Sequence, residues 1–231
     1  MTYHIGDRVG ADGSLVDAYR ALTTGGIGHR IDGHAMRRDI RPVGAFSATL
    51  AGPAVTVRAP GRDSTVCHKV MDLVQPGDII VIDRGHDTDY ACWGEMMTIA
   101  ARLRGVAVVI VDGPVTDIAD LRTDPMPVFA TGVSPLTTLL LGEGGSINAP
   151  VECGGLMVSP GDLVVADEDG VLVFTQEEAR QILSEVEEEH AEDYAYRARL
   201  LEGLRPSELA PIDDLINQRL LAQGSEGGGC S

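Results

Sequence analysis

Aromatic residues make up only 4% of this 231-residue chain, with one tryptophan and three phenylalanines. The core must therefore be built mainly from Val, Ile, Leu, Ala and Met, within an ordinary apolar share of 44%. Basic residues are also scarce: 18 Lys and Arg face 35 Asp and Glu, a net charge of -17. Such a surface repels phosphate backbones, so no nucleic-acid partner is expected. An acidic small molecule stays compatible with it, because a local metal or donor cluster inverts the field at one site. No run of about 18 apolar residues occurs, so no membrane span is expected. Met1-Thr2-Tyr3-His4 lacks a basic stretch followed by an apolar one, and a cytoplasmic location is the expectation. The four cysteines (Cys67, Cys92, Cys153, Cys230) include no Cys-x-x-Cys pair, so their spacing gives neither a zinc signature nor a disulfide framework. The first three are expected to be buried reduced thiols, and Cys230 lies in a Gly-rich tail expected to be mobile.

What is present is an alternation of strand and helix signals. Ile79-Ile80-Val81-Ile82 and the run 106–111 suit strands buried on both faces. Further strands are expected at 54–58, 163–166 and 171–174. Residues 14–22, 63–73 and 95–104 have helical periodicity, the last with Met96, Ile99, Ala100 and Leu103 on one face and Gly105 as its cap. Thr23 to Gly28 is too Gly-rich for regular structure. Two turn-plus-strand units echo one another, Pro76-Gly77-Asp78 and Pro160-Gly161-Asp162, with each glycine expected at positive φ. Residues 176–203 carry nine acidic residues against three arginines and read as the longest helix. The expected organisation is one α/β domain over 1–205 and a C-terminal extension over 206–231, flexible at its end.

Two segments have the pattern of a site. In Trp93-Gly94-Glu95-Met96-Met97 a glycine stands at a helix start, where the first N–H groups have no partner within the helix and favour an anion. A carboxylate or enolate oxygen fits the N–H groups of Met96 and Met97; a plain helix start, with Glu95 complementing the dipole, fits the same residues. Asp112-Gly113-Pro114-Val115-Thr116-Asp117 follows a buried strand, at the end where α/β sheets collect ligands. Asp-Gly-Pro is expected to turn sharply there. Asp117 is then either a hard oxygen ligand for Mg²⁺ or Mn²⁺ or an N-cap of the next helix. Arg84-Gly85-His86-Asp87-Thr88-Asp89 is a third candidate loop, and His68-Lys69 a fourth, with a surface pair as its plainer reading. His29 and His34 have no metal-ligand spacing.

Taken in order, Gly52-Pro53-Ala54-Val55-Thr56-Val57, His68-Lys69, Pro76-Gly77-Asp78, Gly94-Glu95, Arg104-Gly105 and Asp112-Gly113-x-x-x-Asp117 resemble the RraA-like family, which includes 4-hydroxy-4-methyl-2-oxoglutarate aldolases and regulators of ribonuclease E. The resemblance spans about residues 15–205. It implies an αββα swivelling-type α/β sandwich with a long acidic C-terminal helix, assembled as a homotrimer or hexamer with sites between subunits. It also implies a divalent-metal lyase that cleaves or decarboxylates a 2-oxo or hydroxy acid through an enolate. In that scheme Met96 and Met97 hold the substrate carboxylate beside Gly94, and Asp117 binds Mg²⁺ or Mn²⁺. Glu95 contacts the metal through water, as does Glu188 or Glu192 of a neighbouring subunit. The aldolases carry an arginine just before the metal aspartate, whereas this chain has Thr116, which offers one hydroxyl and no charge. Arg84 is the candidate for the missing cation. Alternatives are an isomerase or hydratase on the same metal site, and a non-catalytic regulator that binds a protein partner.

Overall fold

Four consecutive residues with no exposed surface, Ile79 to Ile82, form a buried strand in the first of the two compact units of the chain. The computed structural model describes residues 2–226, so the Gly-rich tail with Cys230 lies outside the described residues. In chain order the elements are β1 (Tyr3–Ile5), α1 (Gly13–Arg20), α2 (Thr24–Gly28), β2 (Arg41–Pro42), β3 (Leu50–Arg58), α3 (Thr65–Lys69), β4 (Ile79–Asp83), α4 (Glu95–Leu103), β5 (Val108–Val115), α5 (Ile118–Leu121), β6 (Val128–Val133), β7 (Gly145–Ile147), β8 (Val151–Cys153), β9 (Leu156–Val158), β10 (Leu163–Asp167), β11 (Gly170–Phe174), α6 (Gln176–Leu201), α7 (Pro206–Leu209) and α8 (Ile212–Glu226). The chain forms two compact units, one ending at Ser184 and one starting at Glu185. The boundary falls inside α6, where no composition signal marks it. No helix among the described residues is long and apolar enough to cross a membrane.

The first unit has the expected mixed α/β character. Strands β3, β4, β5 and β6 run parallel and adjacent, with Val55, Ile80 and Val109 in register across the first three. Because side chains alternate along a strand, these residues divide between two cores. Val55, Val57, Ile80, Ile82, Val109 and Val111 face the helical side and pack with Val66, Trp93, Met97 and Ala101. Ala54, Ile79, Val81, Val108 and Ile110 face the other side, where β8, β9, β10 and β11 contribute Val151, Cys153, Val158, Val164 and Val173. Each such Val or Ile contributes about 1.5–3 kcal/mol on burial. Aliphatic runs thus fill most of both layers, with Trp93 in one and Phe129 in the other.

Both Pro-Gly turns form as expected, with Gly77 at φ 89° and Gly161 at φ 84°. Helix α4 ends at Gly105, φ 76°, whose N–H donates to the Arg102 carbonyl. Two expectations are corrected. Thr24–Gly28 is helical despite its glycines: the Thr23 hydroxyl caps the Gly26 N–H and the Asp167 carboxylate accepts from the Thr24 N–H at 2.7 Å. These tertiary bonds outweigh the low helix propensity of glycine. Asp112-Gly113-Pro114 does not turn sharply either. Strand β5 continues to Val115, with a register shift against β6 between Val111 and Pro114. A proline that lacks an N–H is tolerated at such an irregularity.

Candidate active site

The end of β5 delivers Thr116 and Asp117 to the start of α4. Thr116 donates its N–H to the Trp93 carbonyl at 2.9 Å. Asp117 stands at the N-cap position of α5 but does not cap it. Its backbone is left-handed, φ 53° and ψ 42°, an unfavourable conformation for a residue with a Cβ. Its carboxylate reaches across to α4, where Oδ2 accepts the Glu95 N–H at 3.0 Å. Strain of this kind is kept where the surroundings enforce it, and it gathers at functional sites.

Gly94 makes the approach possible. A Cβ at this position would lie 2.4 Å from Asp117 Oδ2 and 2.7 Å from Thr116 Cγ2. The glycine is required by space, since its φ of -161° is ordinary extended backbone. Trp93 fixes the other side of the helix start. Its indole N–H donates to the Thr98 hydroxyl at 2.9 Å, and that hydroxyl donates to the Gly94 carbonyl at 3.0 Å. The Met96 and Met97 N–H groups, one and two residues past Glu95, meet no acceptor among the described residues. Two free donors therefore stand beside a carboxylate at the positive end of a nine-residue helix. A groove of about 260 Å³ lies along α4 and α5, lined by Glu95, Thr98, Arg102, Asp120 and Asp124.

The structure thus brings Gly94, Glu95, Met96, Met97, Thr116 and Asp117 together. Arg84 is placed differently. It is wholly buried, with its stem against Gly113, where a Cβ would lie 2.6 Å from Arg84 Cγ. Its guanidinium donates to the carbonyls of Ala59, Gly61 and Tyr90 and pairs with Asp87 at 3.2 Å, which ties three loops together. Glu188 and Glu192 are exposed on α6 in the second unit. His68 and Lys69 are exposed too, and Lys69 pairs with Asp72 at 2.9 Å.

Sequence reasoning overlooked three features. Asp112 points to the opposite face from Gly113 and binds Arg37 at 2.6 Å and the Gly154 N–H at 2.8 Å, so within its motif it is an anchor for the second core. The Trp93–Thr98 bond was signalled only by a lone tryptophan next to Gly94. Asp63, 2% exposed, accepts from the N–H groups of Thr65, Leu141 and Glu143 and from the Thr65 hydroxyl. Burial opposes its charge, yet these four donors prevail and hold its carboxyl well below the usual range.

The family model described as RraA-like, Aldolase/RraA, matches residues 14–173. The chain belongs to the RraA-like family. It is 32% identical to a protein of Halalkalibacterium halodurans named "Putative 4-hydroxy-4-methyl-2-oxoglutarate aldolase", over 80% of this chain and 88% of that one. Among solved structures it is similar to Streptomyces coelicolor RraAS2, with a TM-score of 0.72 and 26% identity, over 82% of this chain and 99% of that one. It is also similar to RraA of Thermus thermophilis, described as an RNA-processing inhibitor, with a TM-score of 0.59 and 28% identity, over 66% of this chain and 92% of that one. The RraA-like fold and the aldolase-named relatives are what the sequence motifs implied.

Proposed function

We propose that this chain is a divalent-metal-dependent lyase that breaks a carbon–carbon bond of a 2-oxo acid, by retro-aldol cleavage or decarboxylation. The observation that carries the reading is the Asp117 carboxylate, held in a left-handed backbone at the N-terminus of α4 beside two unpartnered N–H groups. An anionic substrate on those N–H groups would lie close to the carboxylate. At about 4 Å two like charges repel by about 4 kcal/mol at a partly shielded surface. A divalent cation held by Asp117 would supply the positive charge that offsets this repulsion. Asp117 and Glu95 offer hard oxygens, which suit Mg²⁺ or Mn²⁺.

In this scheme Asp117 would hold the ion directly, and Glu95, with Glu188 or Glu192 of a neighbouring subunit, would do so through water. When bound, the ion supplies Lewis acidity toward the charge that develops on the 2-oxo oxygen. The Met96 and Met97 N–H groups hold the substrate carboxylate and orient the bond to be broken. Glu95 carries a proton by way of water to or from the carbon that becomes the methyl of the product. Thr116 gives a single hydroxyl where a bidentate clamp would need arginine, so carboxylate binding rests on the helix start. The buried guanidinium of Arg84 acts through the loops it ties. Assembly as a homotrimer or hexamer and a cytoplasmic location belong to the same proposal.

A second reading has its own support, since one similar structure is named an RNA-processing inhibitor and another an unusual member of the RNase ES inhibitor RraA family. On that reading the acidic surface binds a protein partner. The deciding assay offers 4-hydroxy-4-methyl-2-oxoglutarate and oxaloacetate to the full chain, with Mn²⁺ and with EDTA. Metal-dependent pyruvate release supports the lyase. Metal binding without release on either substrate points to an isomerase or hydratase. Neither binding nor release favours the regulator.

A further inference from the structure

The second unit, from Glu185 onward, is helical and buries little of its own apolar surface. Of its described Val, Leu, Ile and aromatic residues, Val186 is buried and the others are half-buried or exposed. On α8, Leu215, Ile216, Leu220 and Leu221 are between 52% and 75% exposed. A helix of 15 residues is marginal in water unless its apolar face is packed. A unit this small needs a staple or a partner to stay folded. None of the three described cysteines belongs to it, so no disulfide among the described residues supplies the staple.

The pattern of α8 indicates what covers that face. Ile212, Leu215, Ile216 and Leu220 share one stripe, by the spacing i, i+3, i+4 and i+8. Asp213 stands three residues before Ile216, and Arg219 three residues after it. The stripe is therefore its own complement when a second α8 crosses it antiparallel at Ile216. Ile212 then faces Leu220 of the second copy, Ile216 meets Ile216, and Asp213 stands level with Arg219. A parallel pair would instead bring Asp213 level with Asp213 and Arg219 level with Arg219, and would align the two helix dipoles.

We propose that α8 is a contact between two copies of this chain, formed as an antiparallel pair about a two-fold axis at Ile216. Each copy has one such helix, so the contact joins copies in twos and the assembly holds an even number of them. The helix lies outside the segment 14–173 that matches the family model, and the contact is independent of the metal reading.

The test measures the mass of the full chain in solution by light scattering after size exclusion, with Ile216→Glu beside it. The full chain should contain an even number of copies, and Ile216→Glu half that number. The direction of pairing is read from a chain carrying Ile212→Cys, Leu220→Cys and Cys230→Ser, oxidised mildly. Within one helix these two positions are about 12 Å apart, too far for a disulfide. An antiparallel pair should therefore give a dimer on non-reducing gels in which the tryptic peptides 200–219 and 220–231 are joined. Should Ile216→Glu fail to fold, the cross-link decides. An odd number of copies, an Ile216→Glu assembly of unchanged mass, peptides joined like to like, or no linked dimer would overturn the proposal.

Discussion

The carboxylate of Asp117 accepts the Glu95 N–H at 3.0 Å, so a residue at the start of one helix sits on the N-terminus of another. The contact exists because Gly94 has no side chain. Gly94→Ala would push Asp117 and Thr116 back from the helix start, at about 1–3 kcal/mol of stability. The chain should still fold, by circular dichroism, while kcat/KM for 2-oxo acid cleavage falls about a hundredfold, the scale of a misplaced reacting group. A variant with unchanged turnover would show that the close approach is only packing.

Thr116 is the residue most open to a gain of function. An arginine there adds a bidentate, charge-assisted contact to a carboxylate. Thr116→Arg is therefore expected to raise kcat/KM for 4-hydroxy-4-methyl-2-oxoglutarate by about tenfold, equal to about 1.4 kcal/mol. A decrease in steady-state assays would mean that the pocket is shaped for a different substrate.

Asp63 gives a pH signature of stability. Its folded-state pKa is depressed, so its contribution is complete above its unfolded value and disappears as pH falls through the folded one. Asp63→Asn should cost about 2 kcal/mol at neutral pH, since charged hydrogen bonds are lost at a buried site. In urea titrations the gap between the two proteins should hold steady down to about pH 5 and narrow below about pH 4. A gap that widens in acid would contradict the assignment.

The strands at the centre were legible because their chemistry is local. Ile79 to Ile82 form the expected strand buried on both faces, but helix α4 turns another face inward than its apolar spacing implied. Met97, Thr98 and Ala101 are buried, while Met96 and Leu103 are exposed, because the start of the helix is fixed by Trp93 and Asp117 rather than by its own periodicity. Gly94, Glu95 and Asp117 were legible as separate motifs, one at a helix start and one at a strand end. Their meeting was not, because Asp117 reaches Glu95 across 22 positions of sequence through a left-handed backbone angle. Asp112 and Arg84 were misleading for the same reason. Adjacent residues of a strand face opposite sides, so Asp112 and Gly113 of one motif serve different cores. Helix α2 depends on the Asp167 carboxylate, far along the chain, and no local pattern announces it.

The central claim is that Asp117 holds a divalent cation at the start of α4. The direct measurement is thermal unfolding of the full chain and of Asp117→Ala, each with and without Mn²⁺ at a hundredfold excess over its dissociation constant. The unaltered chain should gain about 2.7 kcal/mol of stability, and Asp117→Ala should gain none. An equal rise in melting temperature for both proteins, or no rise for either, would contradict the account.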